Sequence, residues 1–78
     1  MSVENDIRKI ISDAVVGLDM DTVTRNALFA DVGIDSLDIA TILLEAQEKF
    51  NVEIPEGQED DFDTLGKLAA FIEDHVDG

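Results

Sequence analysis

The sequence predicts an all-α fold: a small four-helix bundle, three long helices plus one short helix, with a long loop between helices 1 and 2. Three stretches repeat apolar residues with the spacing of one helix face, and no stretch shows strand-like alternation or an Asn-Gly hairpin signal. Its 78 residues suffice for one modest core, so we expect a single domain over residues 1–78. Because the chain has no cysteine, apolar contacts between helices must hold the fold together.

The first helix is predicted from an apolar face near the N-terminus, with Ser2 as its N-cap and Gly17 near its end. Residues 19–35 then show no sustained period and predict a loop, which we expect Leu28 and Phe29 to anchor to the core. The helix face consists of Val3, Ile7, Ile10, Ile11, Ala14 and Leu18.

The second helix is predicted over residues 35–50. Asp35 is a favoured N-cap, and Asp38 places a carboxylate in the first turn, where the helix dipole favours it. Ser36 then occupies the first helical position, so its hydroxyl lies at the rim of the helix, where a large partner can reach it. The simpler interpretation is that these residues only cap the helix.

This second helix is apolar on more than one side. At about 100° per residue, one apolar stripe spans about 140° to 240° from Leu37, and another spans about 300° to 360°. The second stripe, which we call the apolar strip, predicts a docking surface for a partner with apolar pockets ringed by Lys or Arg. The core stripe is Ile39, Ile42, Leu43, Ala46 and Phe50; the strip is Leu37, Ala40 and Leu44, beside the acids Asp38, Glu45 and Glu48.

The last third of the chain predicts one short and one long helix. Pro55 suits the first position of a short helix through Asp61, with Ile54 and Phe62 as its anchors. Thr64 is a good N-cap for the final helix. Its core stripe consists of Leu65, Leu68, Ala69, Ile72 and Val76.

The charge narrows the choice of partners. The chain has 19 acidic and 5 basic residues, a formal charge of −14, and eleven of the acids lie within residues 31–63 beside one base, Lys49. This charge disfavours nucleic acids and anionic membranes and favours basic proteins. Because the sequence has no apolar run of 18 residues and no signal peptide, we expect a cytoplasmic protein with no membrane insertion. We also expect a monomer.

The residues offer little support for catalysis or metal binding. A nucleophilic Ser36 needs a base, yet the only histidine is His75, in the last predicted turn, and no Gly-x-Ser-x-Gly motif is present. Asp19 and Asp21 begin like a calcium-binding loop, but Val23 stands where a third oxygen ligand belongs. We therefore predict neither an enzyme nor a dedicated metal site.

A serine that does not activate itself can still be modified by another enzyme. Residues 32–38, Val-Gly-Ile-Asp-Ser-Leu-Asp, resemble the Asp-Ser-Leu attachment motif of acyl carrier proteins. The resemblance covers nearly the whole chain, including the loop with Leu28-Phe29 and residues 48–50, 52–55 and 64–65.

The resemblance implies that Ser36, within the motif of Asp35 and Leu37, receives a 4′-phosphopantetheine arm from coenzyme A by the action of a Mg²⁺-dependent phosphopantetheinyl transferase. The thiol of the arm would carry acyl groups as thioesters to acyl-transferring and condensing enzymes of fatty acid, polyketide or related synthesis. It also implies that Asp35 positions the site for the transferase. The implied partner face comprises Leu37, Asp38, Ala40, Leu44, Glu45, Glu48 and Ile54; we expect a bound acyl chain among Leu43, Ala46, Phe62 and Leu68.

Two positions depart from the family pattern. Thr41 stands where a Glu is frequent, and Glu45 stands where a small or apolar residue is usual, which leaves the pathway open. Peptidyl carrier domains tend to have Gly-Gly and then His or Asp before the serine, so the resemblance of Gly33-Ile34-Asp35 implies an acyl cargo rather than an aminoacyl one. The alternative function is an unmodified acidic helical module that binds a basic protein.

Overall fold

The computed structural model describes residues 3–55, 57–58 and 61–76 and contains three α-helices in those ranges. They are α1 (Val3–Ala14), α2 (Ser36–Phe50) and α3 (Leu65–His75), and α1 packs against both of the others. None of the described residues forms a strand, although Leu28 and Thr64 make an isolated antiparallel bridge. The predicted all-helical bundle is confirmed to this extent.

One continuous core joins the three helices and the long loop. The predicted core stripes are confirmed, with their end residues half-buried at the edge of the core. Because every helix contributes side chains to this core, the rotation of α2 about its axis is fixed. The side of α2 that does not contribute to the core is its outer face. The buried residues are Ile7, Ile10, Ile11, Val23, Phe29, Ile34, Ile42, Leu43, Ala46, Ile54, Phe62, Leu65, Leu68, Ala69 and Ile72.

The first half of the long loop is tied to α1. It contains a 3₁₀ turn over Met20–Thr22, and the guanidinium of Arg8 donates to the backbone carbonyls of Met20, at 2.8 Å, and Val23. The Val23 side chain is fully buried. These contacts hold the first half of the loop in a fixed position against α1, although its sequence has no regular spacing of apolar residues.

The second half of the loop is tied to the start of α3. The N–H of Phe29 donates to the carbonyl of Asp63 at 2.8 Å, and the N–H of Gly66 donates to the carbonyl of Arg25 at 2.9 Å. A Cβ atom at residue 66 would lie only 2.9 Å from the Arg25 carbonyl oxygen. Gly66 therefore permits a close backbone approach, which its unfavourable helix propensity alone would not suggest.

One predicted anchor of this loop is wrong. Phe29 is fully buried, at the start of a second 3₁₀ turn (Phe29–Val32), whereas Leu28 is 42% exposed. Leu28 has extended backbone angles, and successive side chains of an extended chain point to opposite sides. Only one of two adjacent residues can then face the core, and Phe29 occupies that position.

The predicted short helix falls partly on residues that the structure does not describe, namely Glu56, Glu59 and Asp60, as does the predicted cap Ser2. The four-helix count therefore stays a prediction. Its two expected anchors, Ile54 and Phe62, are both buried, and both belong to the common core.

Candidate functional site

The chain leading into α2 is held rigidly. Gly33 adopts a left-handed conformation, with φ of 94°, and ends the second 3₁₀ turn. The next residue, Ile34, is buried, and its N–H donates to the carbonyl of Phe29 at 2.9 Å. Since both Phe29 and Ile34 are core residues, the position at which α2 begins is set by the core itself.

Asp35 caps α2 as predicted. Its Oδ1 accepts a hydrogen bond from the N–H of Asp38 at 2.9 Å, and its carbonyl accepts from the N–H of Ile39 at 2.9 Å. The residue has extended backbone angles, φ −88° and ψ 179°, as expected for an N-cap. Ser36 is consequently the first residue of the helix.

Ser36 is exposed at this helix start. Within the described part of the chain, its hydroxyl has no hydrogen-bond partner. The only histidine, His75, is the last residue of α3 and contacts Phe71. Its ring stacks on the Phe71 ring with centroids 4.0 Å apart, and its Nδ1 lies 2.8 Å from the Phe71 carbonyl oxygen. Within the described residues, the serine hydroxyl therefore makes no hydrogen bond that holds the fold together.

The apolar strip faces away from the core, as predicted. Leu37 is 77% exposed, Leu44 is 57% exposed, and Ala40 between them is also exposed. Large apolar side chains at adjacent turns of one helix form a continuous apolar surface. The strip starts directly after Ser36.

The acids lie on one side of this strip. Glu45 and Glu48 are exposed and line a cleft of about 410 Å³ against α1, together with Ile10, Asp13 and Lys49. Asp38 is half-buried nearer the start of α2. The strip is therefore flanked by carboxylates toward α1.

A shallow apolar groove lies on the other side of the strip. We call it the α2 groove; its volume is about 280 Å³ and its lining residues are Ala40, Leu43, Leu44, Gln47 and Ile54. Three predicted partner residues, Ala40, Leu44 and Ile54, are brought together here. Ile54 is only 8% exposed, so it is accessible through the groove rather than as a protruding side chain. Ser36 shares this side of α2, four residues before Ala40.

The four residues predicted to surround an acyl chain, Leu43, Ala46, Phe62 and Leu68, are all buried in the common core. Only Leu43 also lines the α2 groove. Phe62 packs edge-to-face on Phe71, with centroids 5.0 Å apart. The structure brings these residues into one cluster, and their role as a cargo site stays a prediction.

Sequence reasoning missed Gln47. Its side chain is half-buried and hydrogen-bonds to the backbone on both sides of the α2 groove. The signal was a polar residue at about 280° on the helical wheel, between Ala40 and Leu43 on the apolar side. A glutamine in that position indicates a specific hydrogen-bonding role.

Two general features concern the described residues only. In those ranges, no group of three or more His, Cys, Asp or Glu side chains is arranged to hold a metal ion. No helix among them is long and apolar enough to cross a bilayer.

Residues 5–72, most of the chain, match the model of a protein family described as the phosphopantetheine attachment site. The chain belongs to this family. Domains of the family are carriers rather than catalysts, and they bear covalently attached 4′-phosphopantetheine. They interact with phosphopantetheinyl transferases and with synthesis enzymes. This chain is therefore a phosphopantetheine carrier, which confirms the resemblance noted from the attachment motif.

Proposed function

We propose that this carrier is an acyl carrier protein that bears its 4′-phosphopantetheine arm on Ser36. It delivers acyl intermediates to enzymes of fatty acid, polyketide or related synthesis. The observation that carries the proposal is the exposed Ser36 hydroxyl, without a hydrogen-bond partner among the described residues, at a helix start that Asp35 caps.

The residues present fit the arm. Esterification of Ser36 breaks no hydrogen bond of the described fold, because the hydroxyl makes none there. The positive end of the α2 dipole lies beside the hydroxyl and favours the negative charge of a phosphodiester. The thiol of the bound arm supplies the chemistry, since it forms the thioester to the cargo.

Asp35 has a positioning role in this proposal. By capping α2 through the Asp38 N–H, it fixes the helix start, and thus the direction in which the Ser36 hydroxyl points. In attachment, Ser36 Oγ forms a bond to phosphorus of coenzyme A, the pyrophosphate bond breaks, and the nucleotide part leaves. The serine proton goes to a base of the transferase.

The apolar strip and its acids form the proposed partner face. Burial of Leu37 and Leu44 against a partner supplies non-directional affinity. Asp38, Glu45 and Glu48 steer a basic surface into place and fix its orientation. Ile54 extends this face through the α2 groove.

The cargo is proposed to enter between Leu43, Ala46, Phe62 and Leu68. All four are buried and apolar, so an alkyl chain among them would be removed from water, which is favourable. Its entry would also separate core side chains that now contact one another. Amide hydrogen exchange in the segment from Pro55 to Asp61 is expected to change on acyl loading. Unchanged exchange would contradict this site.

Attachment is tested by incubating the apo protein with coenzyme A, Mg²⁺ and a broad-specificity transferase, followed by intact mass measurement. Wild type and the matched control Ser12→Ala, which changes an exposed serine of α1, should gain one phosphopantetheine. Ser36→Ala should gain none. Addition to Ser36→Ala would show that the site is wrong, and no addition to wild type would favour an unmodified acidic module.

A further inference from the structure

One side chain bridges the two walls of the α2 groove. The Nε2 of Gln47 donates to the carbonyl of Leu43 at 3.3 Å, on the α2 wall. Its Oε1 accepts from the N–H of Ile54 at 3.0 Å, on the opposite wall. A single planar amide therefore sets the distance between two residues that line the same groove.

The backbone of Gln47 supports this bridge. Its carbonyl accepts from the N–H of Asn51 and from the N–H of Val52, the latter at 3.2 Å. Asn51 adopts a left-handed conformation, with φ of 54°, and reverses the chain at the end of α2. Among the described residues, the Gln47 side chain is the hydrogen-bond partner of the Ile54 N–H, at the far end of this returning segment.

We propose that Gln47 is a positioning residue that fixes the width of the α2 groove, and that this groove accepts an apolar side chain of the docking partner enzyme. The inference rests on the proposed function and specifies one contact of its partner face. Among the described lining residues, Gln47 is the polar one, and the others offer apolar side chains to an occupant: Ala40, Leu43, Leu44 and Ile54.

The surroundings of the groove favour a protein side chain as the occupant. Exposed Leu44 belongs to both the groove and the apolar strip, so the two surfaces are continuous. The carboxylates of Glu45 and Glu48 lie on the other side of the strip, toward α1. A partner that places Lys or Arg on those acids would cross the strip and present an apolar side chain to the groove.

Gln47→Met separates the bridge from simple loss of volume. Methionine has nearly the same length but cannot make either hydrogen bond, which leaves the Ile54 N–H without its partner. Faster amide exchange at Ile54 is expected. With apo protein as the substrate of the transferase, KM should rise about 3- to 10-fold, as expected for the loss of the one hydrogen bond that crosses the groove. The kcat should be unchanged because Ser36 is not touched.

Two variants serve as controls. Gln58→Met makes the same chemical change at the other glutamine of the chain, which is exposed, and should leave both readouts unchanged. Gln47→Glu keeps an oxygen acceptor for the Ile54 N–H, the bond that crosses the groove, but loses the donor to the Leu43 carbonyl. It should restore slow exchange at Ile54 and lower KM at least part of the way to the wild-type value. Measurement at high salt removes the effect of its added charge on a basic partner.

The outcomes are distinct. Faster Ile54 exchange with an unchanged KM would overturn the proposal, as would unchanged exchange or a fall in kcat. If amide exchange at the residues of the α2 groove slows only after acyl loading, the occupant is the tethered cargo, and the proposal of a partner side chain is overturned. Should Gln47→Met fail to fold, Ile54→Val shortens the opposite wall and must raise KM. Failure of wild type to accept the arm would instead overturn the proposed function, together with the docking part.

Discussion

The starts of α2 and α3 are built alike and used differently. Asp35 and Thr64 both have extended backbone angles, and each side-chain oxygen accepts from the N–H three residues later, Asp38 at 2.9 Å and Lys67 at 3.2 Å. Both caps follow the same rule, which can be read from the sequence. By this criterion alone the two helix starts are equivalent.

Their surroundings are opposite. After Asp35, the first two helical residues, Ser36 and Leu37, are exposed, whereas Leu65 after Thr64 is fully buried. Gly66 then contacts the Arg25 carbonyl directly. The comparison shows that a cap determines where a helix begins, while the tertiary contacts of its first turn determine whether that end anchors the fold or presents a side chain.

The largest expected difference is between two leucines. Leu65→Ala should lower the free energy of unfolding by about 2 to 5 kcal/mol, because it leaves a cavity in the core. Leu37→Ala should change it by less than about 0.5 kcal/mol, because the side chain is mostly in water. Urea denaturation measures both. Similar losses for the two variants would contradict the assignment of the α2 start as a presenting end.

Gly66→Ala should also destabilise the anchoring end, by about 1 to 3 kcal/mol, because the added methyl group collides with the Arg25 backbone. Helix propensity alone predicts the opposite sign, a gain of about 1 kcal/mol. Exposed Ala70 in the same helix supplies the control, since Ala70→Gly should lose about that propensity difference and nothing more. A stabilised Gly66→Ala protein would show that the close approach is unimportant.

Removal of either cap should cost about 0.5 to 2 kcal/mol. Thr64→Ala is expected in the upper part of that range because Thr64 is buried, and Asp35→Ala in the lower part. Thr64→Ser and Asp35→Asn keep an acceptor oxygen and should retain most of the stability. Thermal or urea unfolding measures the free energy lost by each variant. A larger loss for Asp35→Ala than for Thr64→Ala would contradict the assignment of the α3 start as the anchoring end.

The smallest expected effect on stability concerns a single surface ion pair, which contrasts with the effect of the net charge of the whole chain. Lys67 in the first turn of α3 pairs with Asp63, just before the helix, at 2.9 Å. Lys67→Ala should lower the free energy of unfolding by less than about 0.5 kcal/mol at low salt and by nothing measurable at high salt. The whole protein should instead become more stable as salt rises, because screening weakens the repulsion within a chain of charge −14. Divalent cations should act in the same direction. A melting temperature insensitive to salt would contradict this expectation.

Local patterns were enough to predict α2. Asp35 is confirmed as its N-cap, the helix predicted over residues 35–50 is observed over Ser36–Phe50, and the exposure of Leu37, Ala40 and Leu44 is confirmed. Each of these follows from spacing within one helix, since a helix has a fixed geometry of 3.6 residues per turn. The Ser36 position at the first turn follows from the same geometry.

Contacts between distant segments were not predictable in this way. Val23 is buried in a loop with no period, because Arg8 of α1 holds the backbone beside it. Gly66 reads as a weak helix residue until the Arg25 carbonyl is placed next to it. Gln47 bonds to Ile54 seven residues on, across a chain reversal. Such pairings depend on how the loops return to the bundle, which no local pattern encodes.

The lack of hydrogen bonds to the Ser36 hydroxyl within the described fold has a consequence for regulation. Attachment of the arm costs none of the hydrogen bonds of the described fold, so the modified protein can keep the same helix caps and the same core. A transferase that binds the apo carrier and a synthesis enzyme that binds the modified carrier can then recognise the same face of α2, and the arm distinguishes the two forms.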